Sequence, residues 1–555
     1  MARERWHKRQ AFIMAAIGSA IGLGNVIRFP YQLAQNGGAS FLVPYVVALI
    51  TTGIPLLALE IYFGIRFQKG PTEAFGKIRK NTNFIGWFAV LAGAAMITFY
   101  YTVLMGWSVN YMAQSVQGLF SGALPWSNDS EAFFFSEILK FKNTPFSFGT
   151  LNIGSVIGNI VVWGAVFLVL LKGVKVVGKI VNWTVGIPWV ILIVLIIRGI
   201  TLDGSGEGLE YYLHFDYHKI LEPRVWLAAY GQIFFSLSLG FGVIIAYASY
   251  MPKDSDINAN AWVISFANCA TSFFAGFAIF STLGYMAATQ GVSVADVAGN
   301  PGLGLAFVAY PSAIATLPGG IVTQALFAIA FFLMIFMLGV DTAFSLVETI
   351  VTGLKDTFGG KRVQITAIVS LIGFLFGFIY CFQNGLVWLD IVDHWMSWGL
   401  MGVGLMEAIL IGWFYDTKKV IADMDSTSGI KFGKFWIICI KYVTPVILII
   451  TFIMNFINEF NNPYEGYSVT ALLVGGWGLL IALFFISLLL QKRGNLKNPG
   501  KLIGYVIAII GILFSANYYY DHNNVMGTVC LLVAIAVGVA TGKYIKSKEI
   551  KEVVQ

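Results

Sequence analysis

Charge is what this sequence has least of. Asp, Glu, Lys and Arg together make up 11% of 555 residues, against 57% apolar residues. Soluble domains carry about 25% charged residues. A chain of this size could not build a solvated surface from 35 basic and 28 acidic side chains. That excludes a soluble enzyme, a nucleic-acid binder and a disordered scaffold, and makes membrane lipid the chain's main surroundings. Cysteine is scarce as well. The four residues Cys269, Cys381, Cys439 and Cys530 lie in or beside apolar stretches and read as small fillers, not a disulfide framework. The five histidines are scattered, and no hydrolase, zinc or phosphate-loop pattern occurs.

What is present is apolar length. Stretches able to cross a bilayer, about 20 residues each, recur near 11–35, 40–65, 85–119, 152–171, 178–197, 225–250, 259–288, 319–354, 363–382, 386–415, 434–458, 467–490, 502–520 and 525–542. They are continuous and rich in Leu, Ile, Phe and Gly, so fourteen helices are expected and a barrel is not. With the N-terminus inside, 28 of the 35 basic residues fall on cytoplasmic segments. Five (Lys140, Lys142, Arg198, Lys219, Arg224) fall on outer loops, and Arg28 and Lys441 lie in or at the end of spans. This alternation obeys the positive-inside rule through all fourteen spans and places both termini in the cytoplasm. The net charge of +7 therefore describes orientation, not an anionic partner. Residues 1–9 read as a retained cytoplasmic segment, since no small-residue cleavage site follows their charges.

Polar groups at membrane depth are costly and mark function. The first span contains Gly18-Ser19-Ala20-Ile21-Gly22-Leu23-Gly24-Asn25-Val26-Ile27-Arg28-Phe29-Pro30, and the sixth contains Gln232-Ile233-Phe234-Phe235-Ser236-Leu237-Ser238-Leu239-Gly240-Phe241-Gly242. Glycines alone would suit tight helix packing. The added Asn25, Arg28, Gln232, Ser236 and Ser238 favour interrupted helices at matching places in two halves, the expected mark of a transporter's binding site. An unwound turn frees carbonyls for a cation, and the next half-helix offers N–H groups to an anion. In the eighth span Asp341 lies beside Thr342, an oxygen pair suited to a hard cation. Asn268 and Ser272 of the seventh span share a helical face.

These segments, with Asn36-Gly37-Gly38 after the first, resemble the neurotransmitter:sodium symporter family over roughly residues 3 to 492. The resemblance implies an all-α polytopic fold with a five-plus-five inverted repeat. The first repeat would span 10–198 and the second 225–415, followed by two helices over 434–491; the extra hairpin over 502–542 and the cytoplasmic tail over 543–555 lie beyond the family's usual twelve spans. It implies a bacterial leucine-transporter-like activity: sodium-coupled symport of a neutral, apolar amino acid by alternating access, with no enzymatic step.

Carried over residue by residue, the resemblance implies two sodium ions. Sodium one would meet Ala20, Asn25, Ser236 and Asn268; sodium two would meet Gly18, Ile21, Leu338, Asp341 and Thr342. The substrate carboxylate would meet Gly22, Gly24, Tyr101 and sodium one. The rest of the substrate would meet Ala20, Ile97, Phe235, Ser236, Ser238, Phe241, Thr342 and Leu346. Monoamine members carry an Asp where Gly22 stands; a Gly suits a substrate that brings its own carboxylate. Chloride-independent members carry a Glu at the place of Ser272. Here Tyr45, Gln232, Ser236, Asn268 and Ser272 resemble a chloride site, whose charge would offset two sodium ions in low dielectric. Arg28 and Asp393 are the expected outer gate, and Arg3, Trp6, Tyr250 and Asp356 the inner one. A channel lacks a filter-like ring of charges here, and a transport-inactive sensor or accessory subunit would not need intact ion ligands. Cysteine-free outer loops point to a bacterial inner membrane. The oligomeric state is not legible.

Overall fold

The structure, a computed structural model, describes residues 5–171, 173–298 and 302–491. Among these residues the backbone is helical, with β-structure confined to two isolated bridges, Gly38–Phe215 and Leu151–Phe382. A bent pair, α1 (Arg9–Ala20) and α2 (Gly24–Gln35), leads into α3 (Ala39–Phe67), α4 (Asn83–Ser121), α5 (Ile153–Leu170) and α6 (Val174–Ile200). A second interrupted pair follows, α7 (Pro223–Ser236) and α8 (Val243–Ala248). Then come α9 (Ile257–Gln290), α10 (Gly320–Phe358), α11 (Arg362–Cys381), α12 (Gly385–Phe414), α13 (Gly433–Gly466) and α14 (Val469–Leu490). Ten of these are single helices long and apolar enough to cross a membrane. Each of the twelve stretches expected up to residue 490 has its helix or interrupted pair. The stretches over 502–542 and the tail over 543–555 lie outside the described residues.

Large apolar side chains stand exposed on the outward faces of these helices: Trp183 at 68%, Leu168 at 67%, Val190 at 62% and Leu371 at 59%. A band of this kind would aggregate in water. On helices of bilayer length it is a lipid-facing surface, which is why so few charges suffice.

The first break follows from its residues. Gly18, Gly22 and Gly24 are weak helix formers, and the backbone turns extended at Ile21. The Gly22 N–H, which an unbroken helix would have used, donates instead to Asn25 Oδ1 at 3.0 Å. The two half-helices meet at 57°. Pro30 has no N–H to donate, and the preceding turn, Gly24–Arg28, widens so that Phe29 N–H bonds Gly24 carbonyl.

The second break needs glycine. Ser238, Gly240 and Gly242 have φ of 53°, 78° and 74°. A Cβ at Gly240 would stand 2.6 Å from the Leu400 carbonyl oxygen, and one at Gly242 would stand 2.9 Å from the Pro71 ring. Around the breaks, α1 packs on α6, α9 and α10, α2 on α9, and α8 on α3 and α10. Both interruptions thus lie inside the bundle, where irregular backbone is tolerated in a membrane protein.

Candidate functional site

Polar side chains converge on the first break from two sides. On one side, α2, α7 and α9 contribute Asn25, Ser236, Asn268 and Ser272, all fully buried or nearly so. Asn25 Nδ2 donates to Asn268 Oδ1 at 2.7 Å and to Ser272 Oγ at 2.8 Å. Asn268 Nδ2 donates to Ser236 Oγ at 2.7 Å, and Ser272 Oγ to the Asn268 carbonyl at 3.2 Å. The side-chain oxygens expected around sodium one are therefore drawn into one knot, and Ala20, the last residue of α1, is buried.

The chloride set overlaps it. The Tyr45 hydroxyl donates to Cys269 Sγ at 3.3 Å and lies in reach of Ser236 and Ser272. Gln232 Nε2 donates to the Gly24 carbonyl at 3.4 Å, while its buried Oε1 has no partner. These groups are neutral donors, the chemistry a halide accepts. Glu60, the nearby carboxylate of α3, turns elsewhere: its Oε1 accepts the Gly240 N–H at 2.8 Å.

On the other side stands Asp341 of α10, wholly buried, with neither carboxylate oxygen hydrogen-bonded. Thr184 of α6 faces it but donates to the Ile180 carbonyl at 3.2 Å. The carboxylate packs against the backbone of α1, since a Cβ at Gly18 would stand 2.8 Å from Asp341 Oδ2. Thr342 Oγ1 lies 3.4 Å from the Leu338 carbonyl and 3.5 Å from the Ser19 carbonyl. Gly18, Leu338, Asp341 and Thr342 are thus brought together, with Ile21 buried at the end of α1. An isolated buried carboxylate is expensive, and this one is framed by carbonyl and hydroxyl oxygens, a donor set that fits a hard monovalent cation.

Between the two sides lies Gly22. A Cβ there would stand 2.9 Å from Tyr101 Oη and 3.0 Å from Thr342 Oγ1. Tyr101 Oη is buried and unpartnered. The Phe235 ring packs on Gly24, where a Cβ would stand 3.3 Å away, and meets the Phe241 ring edge-on at 6.4 Å. Ser238 Oγ donates to the Ser19 carbonyl at 3.4 Å. Ile97 lies one turn before Tyr101 on α4, and Leu346 one turn after Thr342 on α10; both are buried.

The gate residues divide. Arg28 sets its guanidinium 4.6 Å above the Phe235 ring, and Asp393 accepts the hydroxyl hydrogen of Tyr100. Arg28 and Asp393 form no direct ion pair with each other among the described residues. Trp6 is 5% exposed; its Nε1 donates to the Tyr247 carbonyl at 2.8 Å and its N–H to the Tyr250 carbonyl at 3.3 Å. Asp356 accepts the Gly70 N–H at 2.7 Å. Arg3 lies outside the described residues. Behind Tyr250 stands a cluster that sequence reading missed. The Tyr250 hydroxyl donates to Glu348 Oε1 at 3.0 Å and lies 2.7 Å from Thr352 Oγ1, and Glu348 is held by both guanidinium ends of Arg362. A Glu in the last turns of one apolar helix and an Arg opening the next was the signal available for that pair.

The model of the sodium:neurotransmitter symporter family matches residues 3–132 and 127–493. The chain is 38% identical over 501 residues to a sodium-dependent transporter of Methanocaldococcus jannaschii, covering 90% of this chain and 99% of that one. It is 33% identical over 517 residues to the sodium-dependent dopamine transporter of Caenorhabditis elegans, covering 84% and 82%. It is 32% identical over 569 residues to the human sodium- and chloride-dependent neutral and basic amino acid transporter B(0+), covering 89% and 87%.

Proposed function

The chain belongs to the sodium:neurotransmitter symporter family, and on that premise we infer that it moves a neutral, apolar amino acid into the cell with two sodium ions and one chloride. The observation that carries the reading is Asp341, a buried carboxylate with no protein partner, pressed against the broken end of α1. Sodium two would be held there by Asp341, Thr342 and the carbonyls of Gly18, Ile21 and Leu338. Sodium one would sit in the Asn25–Ser236–Asn268 knot, beside the substrate carboxylate. The five-plus-five inverted repeat, with α1–α2 and α7–α8 at matching places, is part of this reading. So are the cytoplasmic termini and a bacterial inner membrane.

Gly22 supports the substrate class. Two hydroxyls already stand where its side chain would begin, so no protein carboxylate fits there for an amine, and the ligand supplies its own. The pocket walls, Ile97, Phe235, Phe241 and Leu346, carry no charge, which disfavours an acidic or basic side chain. Discrimination among apolar side chains rests on about 1–3 kcal/mol per methylene. The Tyr45–Gln232–Ser236–Asn268–Ser272 donors support chloride: no carboxylate stands among them to balance the sodium charges.

Transport would follow from population shift. Sodium holds the outward-facing form, substrate draws Tyr101 and Phe241 over the site, and release of the Trp6–Tyr250 contacts opens the cytoplasmic side. The test is uptake of radiolabelled leucine and other neutral amino acids into proteoliposomes. Accumulation above the external concentration, driven by an inward sodium gradient and lost when choline replaces sodium, is the expected outcome. Equilibration without accumulation for every neutral amino acid would overturn the reading.

A further inference from the structure

We propose that the segment 502–542, which lies outside the described residues, docks as two membrane spans on the face between α11 and α14. Its apolar stretches, 502–520 and 525–542, are joined by Asp521-His522-Asn523-Asn524, and each is long enough to cross a bilayer. The family model ends at residue 493, so both stretches are additions to the bundle that the family shares.

The place where the described chain ends selects the face. Ile486 and Leu490, in the last turns of α14, pack with Trp87 of α4 and Leu354 of α10. The Trp87 ring meets that of Phe358, the last residue of α10, at 6.0 Å. Because α11 begins at Arg362, the chain leaves α14 beside the first turn of α11. The linker 492–501 reaches at most about 35 Å, and packed helices lie about 8–10 Å apart. The other flank of α14 is occupied: Trp477 packs on Trp398 of α12 at 5.0 Å and on Phe456 of α13 at 5.9 Å.

Between α11 and α14 runs a valley floored by α4. Phe484 of α14 sits on Phe84 and Phe88 of α4 at 5.8 and 5.4 Å, and Phe376 of α11 stacks on Phe99 of α4 at 5.1 Å. Leu91, Ala95 and Phe99 follow one another at successive turns of α4 and stay partly exposed. On the α11 wall Ile368, Ile372, Phe376 and Ile379 share a helical face and stand exposed; on the α14 wall Ile481 and Phe485 do the same.

A span of this chain suits the valley. Gly504, Ala508, Gly511 and Ser515 fall at i, i+4, i+7 and i+11 of the first stretch, a smooth face that lets a helix settle closely against large side chains. The short tether holds that stretch at an effective concentration on the order of millimolar near its own bundle, an advantage that neither loose lipid nor a second copy has. Docking braces α11, the helix whose Arg362 grips Glu348 behind Tyr250.

The first arm of the experiment photolabels the unmodified full chain in lipid nanodiscs with a bilayer-dissolved diazirine. Ile368 and Ile372 should be labelled about tenfold less than the exposed Leu168 and Val190, because a close-packed contact admits no reagent. This arm stands even if the cysteine variants of the second do not fold. There, with Cys269, Cys381, Cys439 and Cys530 replaced by Ala, Ile372→Cys is combined in turn with Ala508→Cys, Gly511→Cys and Ser515→Cys and oxidised with copper phenanthroline. Ile372 and Gly511 lie near the middle of their stretches, and small side chains bring Cα atoms within the about 6 Å that a disulfide spans. At least one combination should join within a single chain, read as linked peptides from the monomer band. The same three partners combined with Ile450→Cys, on the exposed face of α13, should not join. Labelling of Ile372 equal to that of Leu168, no disulfide to position 372, a disulfide between two chains, or joining to position 450 would overturn the proposal.

Discussion

Replacing Asp341 by Asn keeps the shape of the side chain and removes its charge. At about 4 Å, a unit charge and a monovalent cation are worth about 4 kcal/mol at an effective dielectric constant of about 20. The amide keeps a carbonyl dipole, so the expected loss is about 2.8 kcal/mol, a hundredfold in sodium affinity. Thermal unfolding over a sodium titration, with choline making up the ionic strength, reads this directly. At one hundred times its Kd, sodium stabilises the parent by about 2.7 kcal/mol; after a hundredfold loss the same concentration equals Kd and contributes about 0.4 kcal/mol. The sign in the absence of sodium is the sharper half of the test. Neither oxygen of Asp341 has a hydrogen-bond partner, so removing its charge relieves a buried carboxylate, and the sodium-free variant should be as stable as the parent or more so. A sodium-free variant that unfolds earlier, or one whose sodium response is unchanged, would refute the assignment of Asp341 as an ion ligand.

Four further outcomes are expected. Tyr101→Phe should leave stability unchanged and weaken substrate binding about 10- to 100-fold, because a hydrogen bond to a charged group contributes about 1.5–3 kcal/mol; isothermal titration in sodium checks it. Gly22→Ala should cost about 1–3 kcal/mol of substrate binding or stability through overpacking against Tyr101 and Thr342, and Tyr101→Phe in the same chain should recover part of the stability. Uptake should fall when gluconate replaces chloride, and Ser272→Glu should relieve that requirement by supplying a fixed negative charge; unchanged uptake in the parent would remove chloride from the scheme. Trp6→Ala deletes a buried ring and its bond to the Tyr247 carbonyl, so a cysteine placed at Ser345 should become at least about tenfold more reactive to a cytoplasmic thiol reagent.

The spans and the breaks were legible because their causes are local. Length and continuous apolarity announce a helix, and Gly18, Gly22, Gly24 and Pro30 within thirteen residues announce its interruption. Asp341 stood out because a carboxylate in an apolar helix has no innocent reading. What the sequence did not show is who faces whom. Arg28 and Asp393 lie in electrostatic reach of each other, but nothing in the sequence pointed to the Phe235 ring under Arg28 or to the Tyr100 hydroxyl on Asp393. The bond from the Gly240 N–H to Glu60 is a contact between distant helices that no periodicity encodes. Such contacts depend on how helices rotate about their own axes, which is fixed by packing of the whole set.

The bond between Trp6 and the Tyr247 carbonyl joins the start of α1 to α8. Each of these is one half of a broken span, and each is separated from its other half by backbone that is not helical. The other half of the first span, α2, is anchored elsewhere, through the Phe29–Phe41–Tyr45 aromatic cluster with α3. Mechanically, the molecule therefore resembles two levers with adjacent fulcrums, tied to each other near their short arms by Trp6 through its indole and its backbone N–H. Neither short arm can swing alone without breaking these bonds, so departure of one half-helix is coupled to departure of the other through Trp6.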